Sequence, residues 1–287
     1  MTTRSLLFDI SEYQGYDGMP GRKWDRLVKK GAIGVIIRSS IGGKADRAWQ
    51  QNLASARARK LIIAGYHYLQ PGDIEGQADL FVSLLEQGAS GTTARILPGW
   101  LDVEQAGLTR RDVIRFVRRF RQGAPKGAFL GIYSSAAKWR WLTGNLDAGE
   151  LFDGQWSAYY LDRAWVVADV MPTPASRWGG LKVDLWQFGK LFIGASGSPN
   201  RSFVDGNVFD GDELALLDLY GIKVPKPMDQ RPARRAAYNA QLAAYVAALE
   251  AEAPITGSGP AWKDGVTDAR ADILAAIDEL VLTDPAA

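Results

Sequence analysis

The sequence predicts an α/β fold over residues 1–222: an irregular, TIM-like (β/α)5(β)3 barrel, with a two-helix appendage behind it. Three observations carry this. Five short apolar runs alternate with segments of helical spacing between Leu6 and Leu142. Three further strand-like runs follow between Gln155 and Phe209, joined mainly by loops. The runs end in carboxylate or aromatic side chains, and a barrel builds its site at the C-terminal ends of its strands. A doubly wound open sheet is the alternative, weakened because no dinucleotide-binding glycine fingerprint follows the first strand.

Leu6–Ile10 reads as a buried strand carrying Asp9 near its end, and Trp24 opens a helix. Ala32–Arg38 is a second strand, followed by a Gly-rich loop from Ser39 to Lys44 and helical spacing from Asp46 to Arg59. Leu61–Tyr68 is a third strand that ends Tyr66-His67-Tyr68, and Asp73 caps a helix that runs to Gln87. A fourth strand carries Asp102 and Glu104, and Thr109–Asp112 opens a helix to Arg121 or Gln122. Phe129–Tyr133 is a fifth strand, and Ser134–Leu142 a short helix. Gln155–Tyr160, Val183–Phe188 and Phe203–Phe209 then close the sheet, with Asp210 and Asp212 capping a helix over Glu213–Tyr220.

Lys223 to Met228 is a linker, because Pro225 and Pro227 break the pattern. Arg231–Glu252 and Val266–Leu282 have helical spacing and form a module over 229–287. Two short helices bury little alone. They are expected to pack on the barrel, to pair with a second copy as a homo-oligomer, or to bind something else.

Composition excludes several chemistries. There is no cysteine, so disulfides and thiol catalysis are out. With one histidine, His67, a multi-histidine zinc site and a histidine-based triad are improbable, and no metal or cofactor is expected. The 34 basic and 32 acidic residues nearly cancel, which gives no sign of a nucleic-acid partner. No run approaches the ~20 apolar residues of a membrane helix, and the N-terminal apolar run is too short and too charged for a signal peptide. The protein is therefore expected to be made in the cytoplasm and to reach its substrate by another route. Ten tryptophans, ten tyrosines and ten phenylalanines serve either a core or a sugar-binding surface, and composition alone favours the core.

Asp102 and Glu104 carry the chemistry. Residues i and i+2 of a strand share a face, so the two carboxylates stand together while Leu101 and Val103 pack behind them. Adjacent like charges at the end of an apolar run are costly unless one takes a proton. Such a pair supplies one proton donor and one anion, which glycosidic cleavage needs.

The motifs, taken in order, resemble one family. Asp9-Ile10-Ser11 with Gln14, then Gly42, Asp46 and Asn52, then Gly65-Tyr66-His67-Tyr68 and Asp102-Val103-Glu104 are similar to the glycoside hydrolase family 25 lysozymes. Gly131–Ser134, Trp156-Ser157-Ala158 with Tyr160, Leu185–Phe188 and Val204–Asn207 follow in the same order. The resemblance covers roughly residues 5–220. It implies a muramidase that cuts the β-1,4 bond between N-acetylmuramic acid and N-acetylglucosamine in bacterial peptidoglycan, most naturally as a phage endolysin. It implies Glu104 as general acid, with Asp9, Asp102 and Asp205 as the other active-site carboxylates. Asp102 would orient the substrate's acetamido group as internal nucleophile, or else Asp9 or Asp205 would act as base in an inverting scheme. Tyr66, Tyr68, Tyr133, Trp156 and Trp186 are candidates for stacking on sugars or for the core, and His67 reads first as a satisfied barrel histidine and second as a substrate contact. Asp184 is a candidate supporting carboxylate. The arginine-rich helix from Arg110 to Arg121 reads as a solvated face or as an attraction for an anionic wall. A barrel that kept its shape and lost catalysis, serving as a wall-binding or virion protein, is the rival reading.

Overall fold

The structure, a computed structural model, describes residues 4–92, 94–160, 178–192 and 203–222, with 191 and 192 described by backbone alone. The chain divides into two compact units, 1–223 and 224–287. The expected linker at 223–228 and the expected helices over Arg231–Glu252 and Val266–Leu282 lie outside the described residues.

The elements in chain order are β1 (Ser5–Ile10), α1 (Gly21–Lys29), β2 (Ala32–Ile41), β3 (Lys44–Ala45), α2 (Trp49–Ala58), β4 (Ile62–Tyr68), α3 (Ile74–Ala89), β5 (Gly99–Asp102) and α4 (Arg110–Gly123). There follow β6 (Leu130–Ser134), α5 (Ala136–Thr143), β7 (Gly154–Ala158), β8 (Val183–Phe192), β9 (Phe203–Phe209) and α6 (Glu213–Leu219). Neighbours pair in parallel from β1 through β2, β4, β5, β6 and β7 to β8. β9 runs antiparallel to both β8 and β1 and closes an eight-stranded barrel. Five β/α units followed by three strands is the architecture expected from the alternation. Among the described residues no helix is long and apolar enough to cross a membrane.

Two boundaries differ from the sequence reading. The loop expected from Ser39 is strand as far as Ile41, which hairpins onto β3 through Ser40↔Ala45 and Ile41↔Lys44. Gly42 makes that turn at φ 52, a backbone state that favours glycine. β5 ends at Asp102, so Glu104 lies two residues past the ladder. The extended path persists a little further, since Val103 N–H donates to Tyr133 C=O and Leu69 N–H to Asp102 C=O. Leu101 and Val103 are both fully buried, as the alternation requires.

Alternation sorts the strands into two cores. Phe8, Val35, Ile37, Leu101, Val103 and Ile132 face the helices, where they meet Trp24, Phe81 and Phe116. Leu7, Ile36, Ala64, Trp100, Trp156 and Leu185 fill the barrel interior. Trp100 occupies that interior so closely that a Cβ at Gly131 would sit 2.2 Å from its ring, so only glycine fits there. Its indole N–H donates to the Tyr220 hydroxyl at 3.2 Å, and Leu216 and Tyr220 join the interior core from α6 and the residue after it. Asp73, Thr109, Ser135 and Asp212 cap α3, α4, α5 and α6. Asp210, expected as a second cap, instead lies 3.7 Å from Arg4 and 4.0 Å from Lys182.

Candidate active site

The inward-facing residues on the barrel face formed by the C-terminal ends of the parallel strands, and by the start of the antiparallel β9, converge on one spot. They are Asp9 from β1, Arg38 from β2, Tyr66 from β4, Asp102 from β5, Tyr133 from β6, Gln187 from β8 and Asp205 from β9. Each is in step with the interior residues two positions away, so strand register alone places them together.

Asp9 is buried, and its Oδ2 accepts two side-chain amides: Gln187 Nε2 at 2.9 Å and Asn207 Nδ2 at 2.8 Å. Burial pushes its carboxyl well above the usual range, Asp205 and Glu104 push the same way, and the two amides pull back. Asp205, its cross-strand partner, is half-buried and raised by burial, with Lys190 opposing.

Asp102 is 5% exposed, and its Oδ1 meets no hydrogen-bond partner among the described residues. Burial raises its carboxyl well above the ordinary value, Glu104 and Asp9 add to that, and Arg38 opposes. Glu104 is half-buried; burial raises it and Lys138 pulls it back. Lys138 also donates to the Glu104 carbonyl at 3.2 Å, which ties α5 to the segment after β5. Burial thus raises both members of the pair.

Arg38 is a buried cation of the site, and no sequence motif pointed to it. Its Nε donates to Asp46 Oδ2 at 2.6 Å and its Nη2 to Glu12 Oε1 at 3.1 Å, while its guanidinium lies 4.9 Å from the Tyr13 ring centre. Ser11 and Gln14 build the short 3-10 turn that presents Glu12 and Tyr13 through a reciprocal capping box. The serine and glutamine of the first motif therefore shape the loop.

The model of the family described as "Glycosyl hydrolases family 25" matches residues 8–191. The chain belongs to this family. It is 28% identical over 156 residues to the N,O-diacetylmuramidase of Chalaropsis sp, covering 49% of this chain and 71% of that protein. To Lysozyme M1 of Streptomyces globisporus it is 26% identical over 225 residues, covering 74% of this chain and 69% of that one. The catalytic domain of the endolysin ply40, from a bacteriophage of Listeria monocytogenes, has a similar fold at TM-score 0.53 and 24% identity. That likeness covers 77% of this chain and 98% of the domain.

Within this family 25 barrel the aromatic candidates separate by face. Tyr66 and Tyr68 are half-buried at the end of β4, with the Tyr68 hydroxyl donating to Gln105 at 3.1 Å. Tyr133 and Trp156 are buried with ring centres 4.3 Å apart, beneath the carboxylates. They form the floor and offer little surface to a sugar. Trp186 points to the helix-facing core, 3% exposed beside Phe188, with its indole donating to the Tyr159 carbonyl. Strand alternation explains this: on β8 it is Leu185 and Gln187 that face inward. Asp184 lies near the start of β8, accepting the Gln155 N–H, and so sits at the other end of the barrel from the carboxylates.

His67 is fully buried on the helix side of β4, stacked on Phe116 at 5.2 Å. Gln77 Oε1 already accepts the Gln70 N–H, so His67 Nε2 is the donor to it and Nδ1 accepts from Ser40. Burial pulls the imidazole down to about 4. It is placed away from the carboxylates, in the core. Three of the six arginines on α4 are ion-paired: Arg115 with Glu75 and Arg119 with Asp79 on α3, and Arg121 with Asp153 after α5. The rim instead carries exposed Tyr13, Trp141, Tyr159 and Tyr160. Three of these sit on loops or short turns where no periodicity marks them.

Proposed function

We propose that the protein is a lysozyme that cleaves the β-1,4 bond between N-acetylmuramic acid and N-acetylglucosamine in peptidoglycan. The convergence of Asp9, Asp102, Glu104 and Asp205 on one barrel face carries this reading. The names of its family 25 relatives, a diacetylmuramidase and a lysozyme, support it.

The mechanism we propose is substrate-assisted. Burial raises both Asp102 and Glu104, and the charge of Glu104 adds to the rise at Asp102, which favours one proton shared by the pair. The unpartnered Asp102 Oδ1 is an acceptor that an acetamido N–H of the substrate can fill. A hydrogen bond to the charged form favours that form, so binding ionises Asp102 and leaves the proton on Glu104. Glu104 then protonates the leaving oxygen, while Asp102 steadies the acetamido group as its carbonyl oxygen attacks the anomeric carbon. In this reading substrate binding is the event that assigns the proton.

We also propose a phage-lytic role, which the endolysin-like fold supports. The test is digestion of purified peptidoglycan, followed by turbidity, with the products resolved by mass spectrometry. Fragments ending in reducing N-acetylmuramic acid are expected. Fragments ending in reducing N-acetylglucosamine, or intact walls, would sink the reading, and intact walls that still retain the protein would favour a binding protein.

A further inference from the structure

A hydrogen-bond relay behind Asp9 dictates which of its two oxygens faces chemistry. The relay starts at Trp156, whose indole N–H can only donate. It donates to Asn207 Oδ1 at 2.8 Å. The Asn207 amide is therefore fixed with its nitrogen toward Asp9, where it donates to Oδ2 at 2.8 Å. A second arm reaches Asp9 from β8. The Tyr133 hydroxyl donates to Gln187 Oε1 at 2.6 Å, and the Tyr160 hydroxyl donates to the same oxygen. Gln187 thereby presents its nitrogen to Asp9 Oδ2 at 2.9 Å. Asp9, Gln187 and Asn207 are all buried, so water does not compete.

We infer that Gln187 and Asn207 are positioning residues that lock the Asp9 carboxyl, holding Oδ2 as a double acceptor and leaving Oδ1 as the oxygen that carries any proton toward the cleft. This rests on the reading of the site as catalytic. An oxygen that accepts two N–H groups cannot also bear a proton along those directions, and rotation of the carboxyl would break both bonds. The groups that face Asp9 are Asp205 from β9, Asp102 and Glu104 from the end of β5, Tyr66 from β4, Tyr133 from β6 and Tyr160 after β7. Arg38 from β2 stands behind Tyr66 and Asp102. Most of this ring is acidic, so the two amides are the nearest groups that favour the Asp9 anion. The sequence quotes both residues inside motifs but gives neither a task; the task of Asn207 follows from the Trp156 indole and that of Gln187 from the Tyr133 and Tyr160 hydroxyls.

The test uses the full chain and three single variants, Gln187→Met, Asn207→Leu and Tyr160→Phe. Tyr160 is 57% exposed, so its loss spares the core if either of the others fails to fold. The Asp9 carboxyl is titrated by carbon-13 NMR, its signal identified by its absence in Asp9→Asn. The midpoint is expected to rise in the first two variants and to rise less in Tyr160→Phe. On soluble peptidoglycan fragments kcat is expected to fall ~10–100-fold in the amide variants with KM little changed. Adding either change to Asp9→Asn is expected to cost nothing further, because the relay acts through Asp9. An unmoved midpoint in folded variants, or losses that multiply in the Asp9→Asn background, would overturn the inference. The titration needs no turnover, so an inactive wild-type chain would refute the muramidase reading and leave this one decided on its own terms.

Discussion

Asp9 and Asp205 sit directly opposite each other on the antiparallel pair β1–β9, two carboxylates in register at the mouth of the barrel. Like charges directly opposite on a sheet are destabilising, by about 0.2–1 kcal/mol. Burial raises both groups above the ordinary carboxylate value. A carboxyl raised in the folded state holds its proton more tightly there than when unfolded. Its contribution is complete below the unfolded value and is lost as pH rises through the folded one. Asp205→Asn is expected to raise the melting temperature at neutral pH and to leave it nearly unchanged near pH 4, while wall lysis falls. A variant that melts lower at neutral pH would show that Asp205 stabilises the mouth.

Glu104→Gln removes the proposed acid and keeps the shape. General acid catalysis contributes typically ~100- to 10,000-fold, so lysis is expected to fall by that order while the near-ultraviolet circular dichroism and the melting curve stay as in the parent. Clearing of walls at the parent rate would remove Glu104 from the mechanism.

Lys138 is expected to set the alkaline limit of the proposed acid. An acid of this kind works protonated, so activity is expected to be lost as pH rises through the titration of Glu104. Burial raises the group and Lys138 lowers it. Lys138→Met therefore moves the alkaline limb of kcat/KM to higher pH. A limb that stays put, or moves down, would assign the alkaline loss to another group.

Arg38 holds Asp46, whose side chain is completely buried, and Glu12 on the rim. Removing one partner of a buried ion pair strands the other charge, at a cost of about 3–5 kcal/mol. Arg38→Met is expected to show this in urea denaturation, and to loosen the turn that carries Tyr13. A loss below ~1 kcal/mol would mean that water already reaches Asp46.

How much of this was legible in the sequence depended on what kind of signal each residue leaves. The barrel order could be read because each strand is an apolar run and each helix has its own period and, for α3, α4 and α6, its own cap: Asp73, Thr109 and Asp212. Inward and outward faces follow from period-two alternation, and they place Asp9, Asp102 and Asp205 together. The same rule, applied to β8 from Leu185, turns Trp186 outward, and applied to β4 from Tyr66 it turns His67 outward. Their aromatic character had drawn attention that their phase did not support. Arg38 lay within an apolar strand, and its role depends on Glu12 and Asp46 from two separate loops. Gln187 and Asn207 depend on the long-range pairing of β8 and β9 with β1. Such roles arise from contacts between segments far apart in the chain, and no local spacing encodes them.

His67 provides a test that separates core from site. Its imidazole is brought from an ordinary value of 6.5 down to about 4, so the folded protein leaves it neutral where the unfolded chain would protonate it. Stability from this group is full above pH 6.5 and falls as pH drops toward 4, by roughly 3 kcal/mol over the window. The raised carboxylates act in the opposite direction over the same range, so the parent's net slope mixes the two. The difference between parent and His67→Gln isolates the histidine. Urea denaturation at a series of pH values is expected to show the gap between the two proteins narrowing as the solution is acidified. The pH limbs of lysis are expected to be the same in both, because both ring nitrogens are engaged by Ser40 and Gln77 on the helix side of β4. A limb near neutrality that disappears in His67→Gln would return this histidine to the catalytic machinery.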